Sequence, residues 1–207
     1  MKKLILTTIV LCFATITMSA QIRFGVKAGT NLSNLYVSGN NQGINSDQYK
    51  ASVSYHFGGM MEYSLSDIFA IQPELMYTNG GANLKKENSF GMSDGHITLN
   101  SVQLPVNLKA SFGLGDKKIF VYGGPYLSYN MYGKAKGKIN GKAEDTEIFS
   151  KGSDMKRWDY GVGIGVGIEI NKLVLSLNNQ IGLADINEAE GSKMKSGNIS
   201  LSIGYFF

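Results

Sequence analysis

Eight times along this chain, apolar and polar residues alternate one by one over ten or more positions. A period of two is the signature of a β-strand with two unlike faces. The runs lie at Ile22–Leu32, Ala51–Leu65, Ile68–Thr78, about Ile97–Phe112, Ile119–Tyr132, Trp158–Ile170, Leu173 to about Ala184, and Gly197–Phe207. The sixth is the clearest: Trp158, Tyr160, Val162, Ile164, Val166, Ile168 and Ile170 alternate with Asp159, four glycines and Glu169. Three connections are short: Ser66-Asp67, Gly113 to Lys118, and Asn171-Lys172. Four are long: about Tyr36–Lys50, Asn79–His96, Gly133–Lys156 and Asp185–Ser196. Long and short alternate strictly. All long connections therefore fall at one end of an up-and-down meander and both termini at the other. No segment has competing helical periodicity.

Alternation does not say which face meets water. A soluble barrel points its apolar face inward and a membrane barrel reverses it. Three features select the membrane arrangement. The polar face is rich in Gly and Ser and poor in charge, with only 17% charged residues in the chain; a water-facing exterior carries many more. Aromatic residues recur near strand ends, as at Tyr63, Phe69, Tyr77, Phe112, Tyr132, Trp158, Tyr160, Tyr205 and Phe207, where two interfacial girdles belong. The strands also have about the 9–11 residues that cross a bilayer at a tilt. The expectation is an all-β, eight-stranded antiparallel up-and-down transmembrane β-barrel, with four long external loops and three short periplasmic turns.

The first twenty residues stand apart. Met1-Lys2-Lys3 is a positive start, Leu4 to Met18 is mostly apolar, and Ser19-Ala20 precedes Gln21. This is the pattern of a secretory signal peptide cleaved after Ala20, which leaves 21–207 as the barrel domain. Cleavage removes Lys2, Lys3 and Cys12. Lys plus Arg falls from 20 to 18 against 16 Asp plus Glu, and no cysteine remains. Disulfides and thiol chemistry are thereby excluded, and the small positive charge is no nucleic-acid footprint.

By parity the inward charges are Arg23, Lys27 and Lys109 against Glu62, Glu74, Asp159 and Glu169. Eight strands enclose space for side chains or one small ligand, and unpaired charges there are costly. Arg23, Lys27 and Lys109 are expected to pair with Glu62, Glu74 and Glu169 and plug the lumen, while Asp159 sits near the other end. Tyr205 and Phe207 share the outward face of the last strand and form a candidate assembly signal for barrel-assembly machinery. The expected surroundings are outer-membrane lipids and lipopolysaccharide, the expected state a monomer, and no cofactor or metal is called for. The third connection carries Lys134, Lys136, Lys138, Lys142, Lys151 and Lys156 beside Glu144, Asp145, Glu147 and Asp154. It reads as a solvated mixed-charge loop or, alternatively, as a contact for lipopolysaccharide phosphates or an acidic partner.

The segments VQLPVNLKASFG (Val102–Gly113), VYGGPYLSY (Val121–Tyr129), WDYGVGIGVGIEI (Trp158–Ile170), LNNQIGLADI (Leu177–Ile186) and the terminal ISLSIGYFF, with RFGVKAGTNLSNL near the start, resemble the PorT-like outer-membrane β-barrel proteins of Bacteroidetes. The resemblance implies a small eight-stranded barrel in the outer membrane and brings no catalytic motif. Two other classes stay open. One is a lipid-modifying outer-membrane enzyme; it has only His56, expected in the lumen, and His96, expected in a loop, and no triad spacing. The other is a soluble lipocalin-like carrier, which would bury the apolar face around a small apolar ligand.

Overall fold

The computed structural model describes residues 22–39, 49–84, 92–139, 142–148, 156–185 and 192–207. Nine strands follow in order: β1 (Ile22–Gly39), β2 (Tyr49–Ser64), β3 (Phe69–Leu84), β4 (Met92–Leu114), β5 (Lys117–Ile139), β6 (Lys142–Glu147), β7 (Trp158–Ile170), β8 (Leu173–Gly182) and β9 (Ser192–Phe206). Every pairing is antiparallel. Eight strands form a closed ring, because β9 pairs with β1 and β4 with β5. Closure is what a bilayer demands, since an open edge would leave amides unsatisfied in hydrocarbon. The chain end is tied in as well: the Phe207 amide donates to the Phe24 carbonyl at 2.8 Å.

β6 lies outside the ring and pairs only with the far end of β5. The third connection is therefore not all loop. β5 continues to Ile139 and folds back as a hairpin whose register sets Lys134 opposite Glu147 and Lys136 opposite Asp145. The other loop-side ends also run past the alternating segments: β1 reaches Gly39, β3 reaches Leu84 and β4 begins at Met92. His96 thus lies in β4 rather than in a loop. These extensions exceed the 9–11 residues needed to cross and carry the sheet beyond the membrane on that side. Residues 1–20, with the expected signal peptide, lie outside the described residues, as do Lys151 and Asp154.

The short turns show why they are short. Asn171 adopts φ 56°, a conformation that Asn tolerates and a two-residue hairpin turn requires. Gly115 does the same at φ 66° in the β4–β5 turn. At the β2–β3 turn the Ser66 hydroxyl accepts from the Phe69 amide at 3.0 Å.

The faces fall as a membrane barrel requires. Val53, Leu75, Leu108, Ile164, Val166, Leu201 and Ile203 are among the large apolar side chains on the outside. Ser52, Ser54, Asn107, Ser128, Asn178, Ser200 and Ser202 are buried within. That arrangement overturns the lipocalin-like carrier, which needs the apolar face inside.

Candidate functional site

Among the described residues, the polar and charged side chains shielded by the sheet are concentrated in the lumen. β5 and β7 supply its bulk. Their register places Phe120 opposite Gly167, Tyr122 opposite Gly165 and Tyr126 opposite Gly161. Each inward ring lies across a glycine on the neighbouring strand. A Cβ at Gly161 would come within 2.7 Å of the Tyr126 ring, and one at Gly165 within 2.6 Å of the Tyr122 hydroxyl. The small residues of β7 and the rings of β5 are therefore one packing device, akin to an aromatic side chain covering a strand glycine.

Four of the six candidate lumen charges meet in the half near the short turns. Arg23 stands directly opposite Glu62 across β1 and β2 and pairs with it. Its Nη1 also donates to Glu169 Oε1 at 2.6 Å. Lys109 Nζ lies 2.7 Å from Glu62 Oε2 and 3.5 Å from Glu169 Oε2. Two cations thus share two carboxylates, tying β1, β2, β4 and β7 together across the barrel. The remaining two form a separate pair one step further in: Lys27 Nζ lies 2.8 Å from Glu74 Oε2, and Gln72 Nε2 donates to Glu74 Oε1 at 2.7 Å.

Aromatic faces complete this floor, and parity reasoning did not assign them a role. The Arg23 guanidinium lies 4.1 Å from the Phe206 ring centre, and Lys109 Nζ lies 4.2 Å from that of Phe120. Lys109 and Phe206 are each only 1% exposed. Desolvated cations over ring faces gain on the order of 2 kcal/mol, which offsets part of the cost of removing them from water. The signal was in the sequence: the fifth run is aromatic on both faces, and Phe206 sits at an inward position between Tyr205 and Phe207.

Above the floor, Asp159 is the one buried charged side chain among the described residues. His56 is buried between Asn31 Oδ1, 2.7 Å from Nδ1, and Ser202 Oγ, 2.8 Å from Nε2. It is engaged in the lumen, where parity placed it. Gln180 Nε2 donates to Gln103 Oε1 at 3.2 Å, bridging opposite walls. Asp159, buried in the loop-side half, accepts from Ser196 Oγ at 2.7 Å and from the Tyr126 hydroxyl at 3.5 Å. A cavity of about 90 Å³ opens beside it.

Tyr205 and Phe207 lie on the outer face, with ring centres 6.2 Å apart. Phe207 is 69% exposed. Tyr129 and Trp158 pair at 4.9 Å at the loop-side rim, as an interfacial girdle would.

A closed barrel, apolar outside and polar inside, is the architecture of an outer-membrane protein, and the family comparison agrees: residues 15–188 match the model of an outer membrane protein beta-barrel domain. The chain belongs to that family. It is an integral β-barrel protein of the cell outer membrane. Among solved structures it is similar to Ail, the attachment invasion locus protein of Yersinia pestis, in complex with the heparin analogue sucrose octasulfate. The identity is 16% over 90% of this chain and 99% of that one, with a TM-score of 0.42. It is similar to Neisserial surface protein A at 15% identity, covering 89% and 97% of the two chains, TM-score 0.46. It is similar to the N-terminal β-barrel domain of Pseudomonas aeruginosa OprF at 11% identity, covering 88% and 97%, TM-score 0.35. No curated protein matches the sequence significantly.

Proposed function

We propose that this chain is a non-conducting, non-enzymatic barrel of the PorT-like kind. In this reading it is exported by cleavage after Ala20 and stands as a monomer among outer-membrane lipids and lipopolysaccharide, acting as a structural or surface-interaction protein through its long connections. The observation that carries the reading is the floor of the lumen. Arg23, Lys109, Glu62 and Glu169 join across it, and Phe120 and Phe206 seal the same level. In planar bilayers the purified barrel is expected to show no steady conductance; a large steady conductance would overturn the plugged lumen. On intact cells, amine-reactive biotin is expected to reach Lys134 and Lys136 on the loop side and to spare Lys117, Lys118 and Lys172 at the short turns. Labelling of the turns would invert the topology.

The β5–β6 hairpin supports the solvated reading of the third connection. Its register sets two of its lysines, Lys134 and Lys136, opposite Glu147 and Asp145, and opposite charges facing across two strands attract.

The outward Tyr205 and Phe207 support recognition by barrel-assembly machinery, since both rings are exposed on the outer face at the end of the strand that pairs with β1 to close the ring. Phe207→Ser is expected to fold in detergent with a loss of at most ordinary burial energy, about 1.5–3 kcal/mol. In cells it is expected to assemble poorly. Normal levels in the outer membrane would leave Phe207 a girdle residue only.

A further inference from the structure

The inward charges do not balance. Arg23, Lys27 and Lys109 are matched by Glu62, Glu74 and Glu169 in the turn-side half. Asp159 is a fourth carboxylate, ten positions along β7 from Glu169, or about 33 Å along the strand at 3.3 Å per residue. It is 7% exposed, and no ion pair reaches it among the described residues. Arg157, two positions away, donates to the Asn130 and Met131 carbonyls. Ser196 and Tyr126 donate to Oδ2. The Tyr160 backbone N–H is the remaining donor that acts on the carboxylate, and Oδ1 is buried with no hydrogen bond. Leaving such an atom unsatisfied costs about 1–3 kcal/mol, and more when it is charged.

Asp159 is also among the residues that line the cavity. Its volume of about 90 Å³ is several times the 10–15 Å³ or so that a single water needs, so a small organic molecule fits. Its walls present hydroxyls and amides, from Ser33, Ser128, Asn130, Gln103 and Asn198 among others, and among the described residues no basic side chain lines it. One carboxylate among neutral oxygens is a poor match for calcium, which gathers 6–8 oxygens, typically with several carboxylates. It is a good match for an ammonium group, which carries one charge and three donors.

We propose that the loop-side lumen binds the ammonium group of a small primary amine, with Asp159 as its counter-ion and the surrounding hydroxyl and amide oxygens as its other acceptors. The Gln103–Gln180 bridge lies between this cavity and a smaller one of about 30 Å³ around His56, so the amine enters and leaves from the loop side. This goes beyond the surface role proposed above and does not depend on what the long connections contact.

The test is a calorimetric titration of the barrel, purified from outer membranes in maltoside, with ethanolamine and, separately, with ethylene glycol as its neutral counterpart at matched ionic strength. Saturable binding of ethanolamine alone is expected, weakened at least about tenfold, or 1.4 kcal/mol, in Asp159→Asn. Ser128 pairs directly with Asp159 in the sheet, so Ser128→Lys brings a tethered ammonium to the site and is expected to abolish binding even if Asp159→Asn fails to assemble. The proposal is overturned by an absence of saturable ethanolamine binding, by equal binding of ethylene glycol, or by unchanged affinity in the variants that assemble.

Discussion

The two halves of the lumen share the same eight strands and the same inward parity, yet they are built on opposite principles. Near the short turns, long side chains meet in the middle: three cations, three carboxylates and two ring faces, with Lys109 and Phe206 almost wholly out of contact with solvent. Near the loops, short hydroxyl and amide side chains line the wall and leave a cavity around one unmatched carboxylate. A barrel of fixed strand number has one internal width. Whether a level is sealed or open therefore depends on how far its side chains reach, and sealing with charge works only where each charge finds its opposite.

The strongest way to break this contrast is Lys109→Met. Methionine fills similar space, but Glu62 and Glu169 are left with Arg23 alone. Removing one partner from a buried ion cluster costs about 3–5 kcal/mol, so urea unfolding in detergent micelles is expected to show a loss of that size. A loss under 1 kcal/mol would mean that water reaches the floor and the half is not sealed.

Gly165→Ala tests the packing device that both halves share. The added methyl meets the Tyr122 ring, and overpacking of this sort costs about 1–3 kcal/mol. Pairing it with Tyr122→Ala is expected to recover most of the loss attributable to the clash, which a double-mutant cycle measures. Additive losses would place the ring elsewhere.

The smallest effect is expected on the loop side. Asp159→Asn removes a charge that has no basic partner in the described residues while retaining an acceptor for Ser196. Stability is expected to stay within about 0.5 kcal/mol of the parent, or to rise. A loss as large as that of Lys109→Met would show that Asp159 carries a structural load equal to the floor's.

The legibility of these features follows from how local their causes are. The outward and inward faces were readable because a strand's side chains alternate whatever its neighbours do, and the bilayer supports long apolar runs on one side. β7 was readable to the residue, at Trp158–Ile170, because it crosses and stops. β5 and β6 were not: a hairpin outside the ring has no lipid face, so the apolar alternation that marks a strand has no reason to persist, and His96 was missed as a strand residue in the same zone. The inward identity of Arg23, Lys27, Lys109, Glu62, Glu74 and Glu169 is a matter of parity alone. Their division into a four-membered cluster and a separate Lys27–Glu74 pair is not.

By itself, then, the sequence determined the number of strands in the ring, the order of long and short connections, the face that meets lipid and the set of charges turned inward. All of these depend on neighbours along the chain. Only the tertiary structure decided that Phe120, Tyr122 and Tyr126 lie over Gly167, Gly165 and Gly161, that Phe206 caps Arg23, and that Asp159 is left facing a cavity. Those contacts join strands far apart in sequence. They depend on the stagger at which the closed ring sets one strand against the next, and a two-residue period carries no record of that offset beyond whether it is even or odd.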